Sequence, residues 1–324
     1  MRAAAYATSG PQRGVIRIIN LPTPQPGPGE VRVRVRVSGV NPTDWKTRTA
    51  VTVAPPAFEL IIPNQDGAGE IDAVGEGVAP QRVGQRVWLY NAQWRRAHGT
   101  AAQWIALPAG QAIPLPDGAG FDLGAGLGIP AITAHRCLFA DGAIDGATVL
   151  VQGGAGAVGH AAIELARWGG ARVIATVSSQ DKAAIATTAG ADLVVNYRTD
   201  DVVTRIREFA PHGVDRIIEV ALSQNLEVDA AILSPAGTIA SYARSESAVT
   251  PPRSLMELNA TIAFVLVYTI PEAAKQHAVT DVSAALAAGV LTSLPVVRYG
   301  LEDAAGAHDA VQESAVGKVL IDIP

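Results

Sequence analysis

Apolar and polar positions follow two different rhythms along this chain. In the first third, short period-two runs dominate. "EVRVRVRV" (Glu30–Val37) and "GQRVWLY" (Gly84–Tyr90) suit strands with one buried face. Pro- and Gly-rich breaks such as "LPTPQPGPGE" and "PLPDGAG" separate them. From about Leu123 the texture changes. Near-continuous apolar runs, "ATVLVQ", "ARVIATV", "DLVVNY" and "VDRIIEV", are each followed by a helical pattern, starting near Val158, Gln180, Asp200 and Asn225. "GTIASY" and "TIAFVLV" close the series. A helix over about Glu272–Ala288 and a Pro-containing, β-like tail ending in "GKVLIDIP" follow. Strand–helix alternation with strands apolar on both faces predicts a doubly wound α/β unit around a parallel sheet.

The first of these strand–helix junctions carries chemistry. In "TVLVQGGAGAVGH", Gly154, Gly156 and Gly159 satisfy G-x-G-x-x-G directly between a strand and a helix. The first glycine permits a tight turn, the second a close approach of backbone to a pyrophosphate, and the third tight packing of helix on strand. The helix start then offers unpaired N–H groups to an anion. The end of the next strand selects the dinucleotide. An acidic residue there would hold the ribose hydroxyls of NAD, but this chain has Ser178 and Ser179, with Lys182 one turn on. Two hydroxyls and an ammonium suit a 2′-phosphate, which a carboxylate would repel. The expected cofactor is NADPH. The serines also suit a helix N-cap, and Asp181 is expected to turn outward.

Composition narrows the alternatives. The chain has 324 residues, 48% hydrophobic and 17% charged, with a net charge of −5. That balance predicts a folded protein of two domains and no nucleic-acid partner. One cysteine, Cys137, excludes an internal disulfide and a cysteine metal cluster. The N-terminus turns polar early, and the longest apolar run, Thr261–Ile270, is short for a membrane span. No membrane association and a cytoplasmic location are expected. No two of the six histidines stand four apart, and no zinc-like carboxylate arrangement accompanies them, so structural roles are expected for each. No G-x-S-x-G nucleophile elbow occurs.

Taken in order, "GVNPTDWK", "PNQDGAGEIDAVGEGV", "GIPAITAHRCL", "VLVQGGAGAVG", "KAAIATTAGADLVVNY" and the terminal "GKVLIDI" resemble the zinc-free quinone oxidoreductases (the zeta-crystallin group) of the medium-chain dehydrogenase/reductase superfamily. The resemblance implies a GroES-like, partly β-barrel catalytic domain over residues 1–122 and 270–324, and a Rossmann NADP-binding domain over 123–269. It places the pyrophosphate on Ala155, Gly156, Ala157 and Val158, and the 2′-phosphate near Ser178, Ser179, Lys182 and Tyr197. It lines the nicotinamide with Asn41, Thr133, Ala243 and the strand Phe264, Val265, Leu266. The segment of Ser314, Gly317 and Lys318 would close over the cofactor. A homodimer joined through the last Rossmann strand is implied as well. Zinc-dependent relatives bind metal through Cys and Gly-His-Glu, where this chain has Ser38 to Asn41 and Asn64 to Asp66, so no metal is expected.

The implied reaction is hydride transfer from NADPH to a quinone. A reductase of activated C=C bonds (alkenal, enone or enoyl) and a cofactor-bound protein with little turnover are the alternatives. Asn41 and Lys46 are the candidate catalytic residues, as donors to a developing oxyanion. Lys46 replaces the Tyr often found there in the group, and it reads equally as a solvated lysine beside Trp45. Tyr90, Trp94 and Trp104 suit either an aromatic-tolerant pocket or ordinary packing.

Overall fold

The computed structural model describes residues 1–10, 13–50, 58–245 and 247–324. The chain forms two compact units, one of Met1–Ile129 with Ser293–Pro324 and the other of Pro130–Thr292.

The first unit is built on antiparallel strands. Strands β1 (Arg2–Ala5) and β2 (Arg17–Asn20) form a two-stranded sheet. A seven-stranded sheet gathers β3 (Glu30–Gly39), β4 (Asp66–Val74), β5 (Arg86–Leu89), β6 (Trp104–Pro108) and β7 (Ala112–Pro114), together with two strands from the chain's end. Helix α1 (Pro42–Arg48) follows β3. The alternation in β3 works as the pattern predicts. Val31, Val33, Val35 and Val37 are buried, while Arg32 and Arg36 turn outward to Asp72 and Glu70 on β4, at 2.8 and 2.9 Å. Val31, Val33 and Val35 join Ile71, Val87, Leu89, Ile105 and Leu107 in this unit's core.

Helix α2 (Phe121–Phe139) contains the division between the units. Beyond it come β8 (Thr148–Val151), α3 (Ala157–Trp168), β9 (Arg172–Val177), α4 (Gln180–Thr188), β10 (Leu193–Asn196), α5 (Val202–Phe209), β11 (Val214–Glu219), α6 (Leu222–Ile232), β12 (Leu233–Ser241), α7 (Arg253–Glu257), β13 (Thr261–Phe264) and α8 (Glu272–Ala287). The strands form one parallel sheet in the order β10-β9-β8-β11-β12-β13. This is the doubly wound Rossmann order, with its switch point beside β8. The chain then returns to the first unit as β14 (Val296–Gly300), α9 (Ala304–Gln312) and β15 (Lys318–Asp322), with β15 pairing both β14 and β3.

Three details differ from the sequence expectation. The second unit extends from 130 to 292, not 123 to 269, so α8 belongs with the parallel sheet's unit. Its Ala278, Val282, Ala285 and Leu286 are buried, and Thr292 beyond it is tied to the buried Glu164 of α3. That carboxylate accepts from the Thr292 N–H at 3.1 Å and from its hydroxyl at 2.5 Å. The tail is not purely β-like, because Asp303 caps α9 by accepting from the Gly306 N–H at 3.1 Å. "TIAFVLV" is a strand only as far as Phe264. Cys137 on α2 is fully buried, and burial pushes its thiol up to about 12. Among the described residues no helix is long and apolar enough to cross a membrane.

Glu164→Ala would remove the buried acceptor of the N–H and hydroxyl of Thr292, which is itself exposed. A loss of ~1–2 kcal/mol in urea unfolding is expected. An unchanged midpoint would show that this contact does not fasten the end of the unit.

Candidate functional site

The second unit supplies an anion cradle. β8 runs into the glycine turn, and the left-handed residue is Gly153, at φ +72°, one position before the expected Gly154. Gly154 is small for a different reason, since a Cβ there would lie 2.8 Å from the Cβ of Ala175 and 3.0 Å from Ile163 Cδ1. Gly159 packs so that a Cβ would run into the Gly153 carbonyl oxygen. Gly156 is the exposed one. It is the N-cap of α3, no side chain caps that helix start, and a Cβ there would make only ordinary contact. The cradle of Ala155, Gly156, Ala157 and Val158 thus presents open backbone at a helix N-terminus, which fits a pyrophosphate.

The end of β9 adjoins this cradle in the sheet. Lys182 Nζ donates to Ser178 Oγ at 3.0 Å, and Ser179 caps α4 by accepting from the Lys182 N–H at 3.4 Å. Ser179 therefore does serve as an N-cap. Asp181 is exposed. Tyr197 follows β10, its N–H donates to the Val177 carbonyl at 3.0 Å, and its side chain is exposed. Ser178, Ser179, Lys182 and Tyr197 accordingly gather at the ends of two adjacent strands.

A second hollow in this unit, about 440 Å³, is lined by Ala243, Phe264, Val265 and Leu266, with Arg136, Tyr242 and Arg244 among its other walls. Thr133 is buried on α2 and is not part of that lining. Phe264 and Leu266, at the sheet's edge, are 76% and 52% exposed.

The first unit holds a buried polar relay that sequence reasoning missed. Asn41 precedes α1, and its N–H donates to Asp44 Oδ2 at 2.7 Å. Its side-chain oxygen accepts from Lys318 Nζ at 2.8 Å, and its Nδ2 donates to Asp66 Oδ2 at 2.7 Å. The other Asp66 oxygen accepts from the Ile129 N–H at 2.9 Å. Lys318 also donates to the Val40 carbonyl at 3.2 Å. Burial lowers the pKa of the Lys318 ammonium, against the pull of Asp66 and Asp44. Burial raises Asp66 to about 6, opposed by Lys318 and the Asn41 amide.

Lys318, expected on a segment closing over the cofactor, is thus turned into the first unit. Its neighbour Gly317 has φ +106° and no space for a side chain beside the Pro295 carbonyl, and Ser314 also sits at positive φ, 62°. Lys46 is half-buried with Nζ 5.6 Å from the Trp45 ring centroid, a cation–π distance. Tyr90 donates to the Gly110 carbonyl at 3.2 Å, and Trp104 to Asp72 at 2.8 Å. Both of those rings are thereby accounted for by structural contacts.

Where zinc-dependent relatives place metal ligands, the donor set does not fit a catalytic zinc. Ser38 bonds Thr100 at 2.7 Å and accepts from Asn64 at 2.9 Å, while Asn64 also bonds His308 at 2.9 Å. Burial lowers His308 to about 3. These side chains engage one another, while His308 Nδ1 is buried without a hydrogen-bond partner.

Comparison with known proteins agrees with this geometry. Residues 27–117 match the family model of the alcohol dehydrogenase GroES-like domain, and residues 157–284 match that of the zinc-binding dehydrogenases. The chain is 31% identical to a rat quinone oxidoreductase over 87% of its own length and 86% of the relative's. A mycobacterial quinone oxidoreductase is similar in structure, with TM-score 0.85, 28% identity and 99% of each chain covered. So is a mycobacterial protein solved in complex with NADPH, at TM-score 0.85 and 27% identity, over 99% of this chain and 100% of that one.

Asp44 gives the relay a pH signature. Burial raises its pKa to about 8, with Asp66 adding to the shift and the Asn41 N–H and Lys318 opposing it. The folded-state pKa lies above the unfolded value, so its stabilising contribution is full below about pH 4 and is lost as pH rises through about 8. Asp44→Asn is expected to flatten the dependence of unfolding free energy between about pH 4 and 8 by ~1–3 kcal/mol. An identical slope in the variant, by urea titration at several pH values, would contradict this.

Proposed function

Because the chain belongs to the quinone oxidoreductase group of the medium-chain dehydrogenase/reductase superfamily, we propose that it catalyses NADPH-dependent reduction of a quinone without a catalytic metal. One observation carries the cofactor choice. At the end of β9, where a carboxylate would select NAD, a lysine ammonium rests on a serine hydroxyl 3.0 Å away. NADPH, when bound, supplies the hydride, and that chemistry is the cofactor's own.

In this reading the residues divide the work. Ala155, Ala157 and Val158 hold the pyrophosphate with backbone N–H groups beside Gly156, whose own N–H donates to the Gly153 carbonyl at 3.0 Å, while Gly154 and Gly159 keep the turn tight. Ser178, Ser179, Lys182 and Tyr197 hold the 2′-phosphate. Thr133, Ala243, Phe264, Val265 and Leu266 shape the nicotinamide's surroundings, with Ser314 and Gly317 in a covering segment. Asn41 is fixed between an ammonium and a carboxylate, so its amide cannot turn over, and a fixed donor dipole suits a developing oxyanion. Lys46 adds a half-buried positive charge on α1, over the Trp45 ring. A quinone needs no strong acid from the protein, since water protonates the hydroquinone oxygen. A homodimer joined edge to edge through β13 would cover Phe264 and Leu266, whose exposure beside an unpaired strand edge otherwise invites association. A cytoplasmic location belongs to the same proposal.

NADPH oxidation should rise above background with benzoquinone or naphthoquinones. Turnover confined to α,β-unsaturated ketones would move the assignment to alkene reduction, and tight NADPH binding with no acceptor turned over would remove catalysis. Lys182→Ala should raise the NADPH dissociation constant by about 10–100-fold, ~1.5–3 kcal/mol, while moving that for NADH by less than about twofold. Equal changes for both cofactors would take Lys182 away from the 2′-phosphate.

A further inference from the structure

Helix α8 carries His277 and Asp281, four positions apart and therefore on one face. Across from them α2 presents His135, which is buried. His135 Nε2 lies 2.7 Å from Asp281 Oδ2, and His277 Nε2 lies 3.2 Å from the same oxygen. The three ligand atoms all fall within 4.8 Å of one another. The two imidazoles meet nearly edge-on, at 80° and 5.2 Å between centroids, and the Phe139 ring packs on His135 at 4.8 Å. Exposure is graded across the triad. His135 is sealed, Asp281 is half-buried, and the His277 side chain is 62% exposed.

His135 from α2 and His277 from one turn earlier on α8 both bring a ring nitrogen to the same oxygen of Asp281. Two imidazole nitrogens and a carboxylate oxygen converging on one point are a transition-metal donor set. Such a set favours ions of the zinc, nickel and copper class over magnesium or calcium, which prefer all-oxygen shells. Both imidazoles must be neutral to ligate. Burial holds His135 below the usual histidine range, with the Asp281 contact opposing it. With neutral rings the triad carries one negative charge, complementary to a cation. The exposed side leaves a fourth position for water.

We infer that His135, His277 and Asp281 form a binding site for a divalent ion of the zinc class, which ties α2 to α8 within the second unit. This site is independent of the hydride-transfer reading and distinct from the positions where zinc-dependent relatives hold their metal. It also revises the expectation that every histidine here is structural.

The test uses the full chain, metal-stripped and free of any affinity tag, titrated with ZnCl₂ by calorimetry and followed by thermal unfolding. About one ion per chain is expected to bind, with a dissociation constant on the order of 1–10 µM and a rise in melting temperature. Millimolar Mg²⁺ should give neither. His277→Ala and Asp281→Asn, both at accessible positions, should each weaken Zn²⁺ binding by more than about tenfold and abolish the thermal shift. His212→Ala, at an exposed histidine elsewhere, should leave both unchanged. NADPH binding measured on the same variants shows that they are folded. Failure to bind Zn²⁺ below about 100 µM would overturn the inference, as would binding that survives both substitutions.

Discussion

The first unit is organised around one buried amide. Asn41 is gripped by the ammonium of Lys318 on one side and the carboxylate of Asp66 on the other. Neither charge tolerates burial alone, because an unpaired ion away from water costs several kcal/mol. The amide lets each be satisfied, since it accepts from one and donates to the other. The arrangement reaches outward from there. The Ile129 N–H must approach Asp66, and Gly128 has no room for a side chain beside that carboxylate. Lys318 must enter from β15, so pairing of the chain's last strand with β3 is a condition for fixing a side chain near its beginning.

The second unit handles charge differently. The chain is net acidic, yet it offers a dinucleotide a suitable cradle, because the turn recruits peptide dipoles in place of surplus lysines. In the proposed reading, one ammonium and its hydroxyl partner discriminate between cofactors. A net negative charge weighs against a polyanion as partner and is still compatible with a single phosphate-bearing ligand.

Much of this was legible in the sequence, and the reasons differ by region. The parallel sheet was readable because strands buried on both faces carry apolar cores, as in Val149–Val151, Val173–Ala175 and Leu193–Val195, whereas β11 keeps only Ile217 and Ile218 between Arg216 and Glu219. The alternation of β3 announced its buried face in the same way. The glycine turn was legible as a motif but not in detail. Which glycine takes positive φ depends on the turn's path, and Gly154 turned out to be constrained by Ala175 and Ile163 across the sheet. Helix α2 was obscured by its glycines and by Pro130, and α9 by a short pattern. The inward turn of Lys318 depends on β15 pairing with β3, a contact 277 residues apart in the chain for its bond to Asn41. The His135–Asp281 contact spans 146 residues. Spacing along one helix reveals neighbours, but convergence from two helices needs the fold.

Quinones are electrophiles that arylate sulfur, and an enzyme consuming them lives beside a reagent that inactivates proteins. Cys137 is this chain's one cysteine, sealed inside α2 with its thiol held in the protonated form at neutral pH. Arylation requires both access and a thiolate, and the packing of that helix denies both. Burying one small side chain thus confers self-protection at sulfur, a form of resistance that belongs to the scaffold and not to the chemistry it performs.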